Sequence, residues 1–131
     1  VPGPKKKEEV RLADREAFRR EGPGKRFIEP RILYLLYGKS AHGYEIVGRM
    51  EEIPLPGPLP DTGAVYRKLR QMEEEGLLAS SWGTGGTGPR RRNYRITEKG
   101  RSRMVAWLEA IGQRIEMLER FTSLCREEVV R

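Results

Sequence analysis

Cysteine occurs once in the 131 residues, at Cys125, and histidine once, at His42. A lone cysteine excludes a disulfide within the chain and suits a reducing compartment. With one residue of each type there is no Cys–His cluster to hold a metal. No nucleophile stands beside an evident base, and the glycine-rich "GTGGTG" lacks the Gly-Lys-Ser/Thr ending of a P-loop. Neither an enzyme nor a cofactor is expected. Apolar residues make up only 37% of the chain, and no run of them approaches the ~20 residues that span a bilayer. No signal peptide is visible, so the expectation is a cytoplasmic protein without a membrane partner. Positive charge is what the chain has in excess: 26 Lys and Arg against 19 Asp and Glu, a net +7. Such a chain seeks polyanions, and its one modest core invites completion by a second subunit.

Residues 1–26 are dense in charge and punctuated by Pro2, Pro4 and Pro23. Val10, Ala13, Ala17 and Phe18 give a weak helical stripe there, so this segment reads as a mobile arm or a loose extra helix. An ordered domain is predicted from about Phe27. Pro30 opens a short buried helix of Ile32, Leu33, Leu35 and Leu36 that ends at Gly38. A second helix is predicted from about Ala41 to Glu51, with Ser40 as N-cap and Tyr44, Ile46 and Val47 supplying apolar contacts. "IPLPGPLPD" is held extended by its alternating prolines and delivers Asp61 as the cap of a third helix, "TGAVYRKLRQMEEEG".

After Gly76 the period changes. "LLASSW" and "RRRNYRIT" read as two strands, joined by a glycine loop that cannot pack a core. Thr97 caps a long final helix with Glu98 in its first turn. Along it Met104, Leu108, Ile111, Ile115 and Leu118 step by four and three, and the steps continue through Thr122, Cys125 and Val129. A seam of 3.5-residue period suits packing against another helix, here a second copy of itself. The order predicts a mainly α fold: a winged helix-turn-helix with a two-stranded β-wing and a long C-terminal dimerisation helix. The expected division is a charged segment at 1–26, the winged domain at 27–97 and the dimerisation helix at 98–131.

Three stretches, "ILYLLYGKSAHGYEI", "DTGAVYRKLRQMEEEGLL" and "GPRRRNYRITEKG", closely resemble the PadR family of bacterial transcriptional regulators, in the family's order and over about residues 27–121. The resemblance implies a homodimeric winged helix-turn-helix repressor of the shorter-tailed branch, with a single dimerisation helix. It also implies release of DNA on binding a small molecule, often phenolic or otherwise aromatic. The chain departs from the pattern at Arg67, where many relatives have proline, and in its charged N-terminal segment.

On a helical wheel Val65, Leu69 and Met72 set the core side of the third helix; Gly63, Arg67 and Arg70 point nearly opposite, with Gln71 beside them. Gly63 lets backbone approach a duplex, and Arg67 and Gln71 have the donor geometry for guanine and adenine edges. Tyr66 suits a hydroxyl-to-phosphate contact, the role the resemblance also gives it. Arg90, Arg91 and Arg92 at the wing root, with Lys39 and Ser40 before the second helix, complete the expected DNA-binding set. Trp82 is expected to pack at the wing base against Tyr94 and arginine stems. Trp107, one step off the seam, is expected at the dimer interface or its rim, where it is the candidate effector residue. His42 reads as a partly exposed turn residue and Cys125 as a small filler of the seam. The rival function is a protein-interaction adaptor that turns the basic face on an acidic partner. RNA binding ranks third, for want of an aromatic platform.

Overall fold

The computed structural model describes residues 4–21, 27–83 and 91–130. In chain order these form helix α1 (Pro4–Glu21), helix α2 (Ile28–Leu36), strand β1 (Ala41–His42), helix α3 (Gly43–Gly48), a single 3-10 turn (Met50–Glu52), helix α4 (Thr62–Glu74), strands β2 (Leu78–Trp82) and β3 (Arg92–Ile96), and helix α5 (Glu98–Val130). The fold is the mainly helical winged helix-turn-helix that the sequence predicts. The glycine loop between the wing strands, with Arg90, lies outside the described residues.

Helix α4 forms and stops as its sequence dictates. The Asp61 carboxylate accepts a hydrogen bond from the Ala64 N–H at 2.8 Å, closing the first turn. Val65, Leu69 and Met72 are fully buried on one side. At the far end Gly76 takes a φ of 82°, which a residue with a Cβ adopts only at a cost. The Gly76 N–H then reaches the Glu73 carbonyl at 3.0 Å and the Leu77 N–H the Met72 carbonyl at 2.9 Å, a Schellman closure that sends the chain straight into β2.

The wing strands pair antiparallel, Leu78 opposite Ile96 and Trp82 opposite Arg92. A third strand joins them: β1 pairs with the other edge of β3, Ala41 opposite Tyr94. This corrects the second helix, expected from Ala41 with Ser40 as its cap. Ala41 and His42 satisfy their backbone in the sheet, and α3 begins only at Gly43, where the Glu45 carboxylate accepts from the His42 N–H at 3.2 Å. So short a helix buries Ile46, and Tyr44, two residues away, is turned roughly 200° from it. Tyr44 is therefore 74% exposed instead of packed in the core. Pro30 is the third residue of α2, not the first; the N–H it lacks is one that no helical carbonyl would have met.

Two buried arginines hold the body together. Arg31, with no exposed surface, donates to the carbonyl oxygens of Met50, Ile53, Leu55 and Pro56 at 3.1–3.4 Å. One guanidinium thus fixes the proline-rich connector against α2, although burial pulls its pKa below the usual arginine range. Arg103 of α5 places Nε 2.7 Å from Asp14, Nη1 3.1 Å from Glu29 Oε2 and Nη2 3.9 Å from Glu75. The Trp107 indole N–H donates to the same Glu29 oxygen at 2.6 Å. Helices α1, α2 and α5 and the end of α4 meet at this node.

Trp107 is 1% exposed, with Phe18 edge-on at 4.7 Å between ring centroids and Phe27 at 6.1 Å. It belongs to the core of its own chain. The expected place at a dimer rim is corrected: the indole packs against Phe18 of α1. That helix is docked through Asp14, Ala17 and Phe18, so of the N-terminal segment Pro4–Glu21 is helical. Burial raises the pKa of Asp14, and the Arg103 charge opposes the rise.

Helix α5 is capped as expected, the Thr97 hydroxyl accepting from the Gly100 N–H at 3.1 Å. The seam divides. Met104 and Ile111 lean on the core of their own chain, whereas Leu108, Ile115 and Leu118 are exposed, as is Cys125. The core therefore runs through the boundary expected between residues 97 and 98. Gly100 makes the joint possible: a Cβ there would collide with the Leu77 carbonyl oxygen and come within 2.7 Å of Ile96 Cγ1. Backbone faces backbone, so neither side can yield. Gly100→Ala is expected to cost about 1–3 kcal/mol, read as a lowered thermal midpoint at fixed protein concentration. An unchanged midpoint would mean that the helix slides freely on Leu77.

Candidate nucleic-acid interface

The side of α4 opposite the buried stripe is open. Gly63, Arg67 and Arg70 are exposed there, as the wheel predicts. A Cβ on Gly63 would lie 3.1 Å from Arg67 Nη1, so the arginine lies close over the glycine one turn before it. Tyr66, on the flank, is half-buried, and its ring edge crosses Gly43. A Cβ on Gly43 would meet that ring at 2.5 Å, so the glycine lets α3 and α4 close on one another.

Other expected residues have partners that the wheel does not reveal. Gln71 accepts from Lys68 Nζ at 3.1 Å and donates to Glu75 Oε1 at 3.1 Å, so both ends of its amide are engaged along the helix. Arg92 lies 3.8 Å from the Glu73 carboxylate, and its guanidinium carbon is 5.2 Å from the Trp82 ring centroid. Glu73 also accepts from the Ser80 hydroxyl at 2.6 Å and so ties α4 to both wing strands. Trp82 has its arginine stem but stands 55% exposed at the outer end of the wing, opposite Arg92 and not Tyr94.

Arg91 is exposed beside Arg92, and Lys39 and Ser40 are exposed just before β1. These groups give the face a positive balance. Sequence reading missed Tyr44, which with His42, Tyr66, Arg91 and Arg92 lines a notch between α3, α4 and the wing. The signal was there: in a six-residue helix that buries Ile46, residue 44 must point away. Among the described residues no group of His, Cys, Asp and Glu could hold a metal, and no helix is long and apolar enough to cross a membrane.

Known proteins share this architecture. The chain is 28% identical over 88 residues to the transcriptional regulator YqjI of Escherichia coli (strain K12); the match takes in 67% of this chain and 39% of that protein's length. The conserved protein TM0937, of unknown function and described as a potential transcriptional factor, is 36% identical, with 80% of this chain and 97% of that one covered at a TM-score of 0.62. Bacillus subtilis PadR, solved in complex with operator DNA, shares the fold at a TM-score of 0.57 and 23% identity, over 66% of this chain and 48% of its own. The model of the PadR-like family of transcriptional regulators matches residues 32–106, from α2 into the buried part of α5, and the chain belongs to that family.

Proposed function

We propose that this regulator binds double-stranded DNA as a homodimer, inserts α4 of each protomer into successive major grooves of an inverted-repeat operator, and represses the adjoining gene until a small aromatic molecule releases it. Members of the family are transcriptional regulators and not enzymes. The observation that carries the DNA reading is the exposure of Gly63, Arg67 and Arg70 directly opposite the buried Val65, Leu69 and Met72. A helix with core on one side and free guanidinium groups on the other fits a groove lined by purine acceptors. The solved complex of Bacillus subtilis PadR with operator DNA supports it through the shared fold. Release by an aromatic effector rests on the family resemblance, and Trp107, its candidate residue, is 1% exposed within its own chain.

Selection of bound fragments from a random duplex pool by the full chain tests the proposal. Two half-sites about one helical turn (~34 Å) apart are expected, with affinity falling steeply as salt rises. An asymmetric or salt-insensitive outcome would favour the adaptor reading. Within a selected site, Arg67→Ala should relax the base preference at one position per half-site and cost ~1–3 kcal/mol. Tyr66→Phe should weaken all sequences alike, because a phosphate contact carries no base information. If Arg67→Ala leaves the selected sequence unchanged, α4 is docked differently.

A further inference from the structure

Helix α1 lies ahead of residues 32–106, the stretch that matches the family model, and it is tied to two other helices at once. Asp14 meets Arg103 of α5 at 2.7 Å. Further along α1, Arg20 lies 3.7 Å from Glu75, the residue that caps the end of α4. Arg103 closes the triangle, 3.9 Å from the same Glu75. On the apolar side Ala17 is buried and the Phe18 ring stands edge-on to Trp107 of α5, whereas Val10 and Leu12 are exposed. Arg11, Arg15 and Arg19 are turned to solvent. A helix that covers so little apolar surface while joining the foot of α5 to the end of α4 acts as a tie. The joint it ties has long leverage. The buried residues of α5, Gly100, Arg103 and Trp107, give a footing of only about 10 Å, and beyond Ala110 the helix runs on for about 30 Å. A tilt of about 5° at the foot swings the far end by roughly 2–3 Å, on the scale of one base-pair step (~3.4 Å).

We propose that α1 is a brace that fixes the angle between α5 and the winged body, and so sets the half-site spacing the dimer accepts, with Asp14 and Phe18 as its positioning residues. This rests on the homodimeric DNA-binding reading above and goes beyond it: the bases read belong to α4, the distance between them to α1. A tie set to one side of a short footing resists tilt far better than the footing alone. Loosening it leaves the winged body whole. Without Asp14, Arg103 keeps both hydrogen bonds to Glu29, at 3.1 and 3.2 Å, and no buried carboxylate is stranded. The face of α4 that carries Arg67 and Arg70 lies opposite its buried stripe and takes no part in the triangle.

The test uses the full chain, with thermal unfolding of every variant as the folding control. Asp14→Ala combined with Phe18→Ala frees the brace, and Asp14→Glu keeps its carboxylate. Labelled duplexes carry two half-sites of a sequence selected by the parent, at the selected spacing and at spacings one base pair shorter and longer. By anisotropy the parent and Asp14→Glu should bind the altered spacings about tenfold more weakly, and the freed variant within about threefold of the selected one. Affinity for a single half-site should be the same in all three. Without DNA, nitroxide labels at Glu51→Cys, an exposed position on the winged body, in a Cys125→Ser background report the distance between the two bodies. A distribution that is narrow in the parent should broaden in the freed variant. Should the double variant prove unfolded, Asp14→Ala alone carries the same expectations, because Phe18 still lies on Trp107. An unchanged spacing preference and an unchanged distribution overturn the brace and spare the DNA-binding reading. A loss that falls equally on a single half-site places the effect inside the winged body and overturns the brace as well. A parent that binds no duplex, or gives no distance because it is a monomer, overturns the reading on which the brace rests.

Discussion

Replacing Arg103 with alanine should lower the unfolding free energy by about 3–5 kcal/mol, the range found when one partner of a buried ion pair is removed. Glu29 is 1% exposed and would lose the two hydrogen bonds that Arg103 Nη1 gives its carboxylate. Asp14 would lose its partner, while Arg20 of α1 would still lie 3.7 Å from Glu75 at the end of α4. The double variant Arg103→Met with Glu29→Gln should recover much of the loss, because the penalty lies in the stranded charge and not in the absence of a bridge. Urea unfolding at fixed protein concentration, followed by the fluorescence of the buried Trp107, measures both. A cost under about 1 kcal/mol for Arg103→Ala would mean that water reaches Glu29 and the node is a surface pair.

On the proposed homodimer reading, a chain ended at Ala110 should be monomeric and lose roughly 10²–10⁴ of its affinity for a two-half-site operator. The cut keeps Gly100, Arg103 and Trp107, the buried residues of α5, and takes from the core only the partly buried Ile111. What it removes is the exposed apolar row: Ile115, Leu118, Phe121 and Leu124 are each at least 50% exposed. A helix stretch so open, with no core of its own, is stable only against a partner. The 33 residues of α5 reach about 50 Å, far past the body they cap. Sedimentation and anisotropy on the full and shortened chains give the comparison. A full chain that sediments as a monomer at micromolar concentration removes the premise.

Helix α4 was legible because every signal agreed. Asp61 caps it, a stripe at steps of four and three faces the core, and Gly76 closes it. The wing followed from a change of period, and Arg67 and Arg70 from their angle to Val65. Where sequence reading fell short, the missing information was a partner distant in the chain. Sequence reading gave Arg31 and Arg103 no role, because nothing local says that carbonyls 19 to 25 residues away, or a carboxylate 74 away, will surround them. The weak stripe of α1 gave no hint of Phe18 lying against Trp107, a contact that also moved the tryptophan from the rim to the interior. Strand β1 has two residues, too few to show any period. For the site, the wheel gave directions but not the engagement of Gln71 with Lys68 and Glu75.

The clasp of Arg31 on the connector bears on how this regulator can diversify. Surface loops ordinarily accept inserted or deleted residues with little penalty. Here the carbonyls of residues 50, 53, 55 and 56 answer one guanidinium in fixed register. An added residue would leave donors of a buried cation unanswered, so the length of this segment is frozen while its exposed side chains are not. On the proposed DNA-binding reading, exchanging the exposed Arg67 or Arg70 changes what α4 presents to a duplex while the clasped stretch behind it stays as it is.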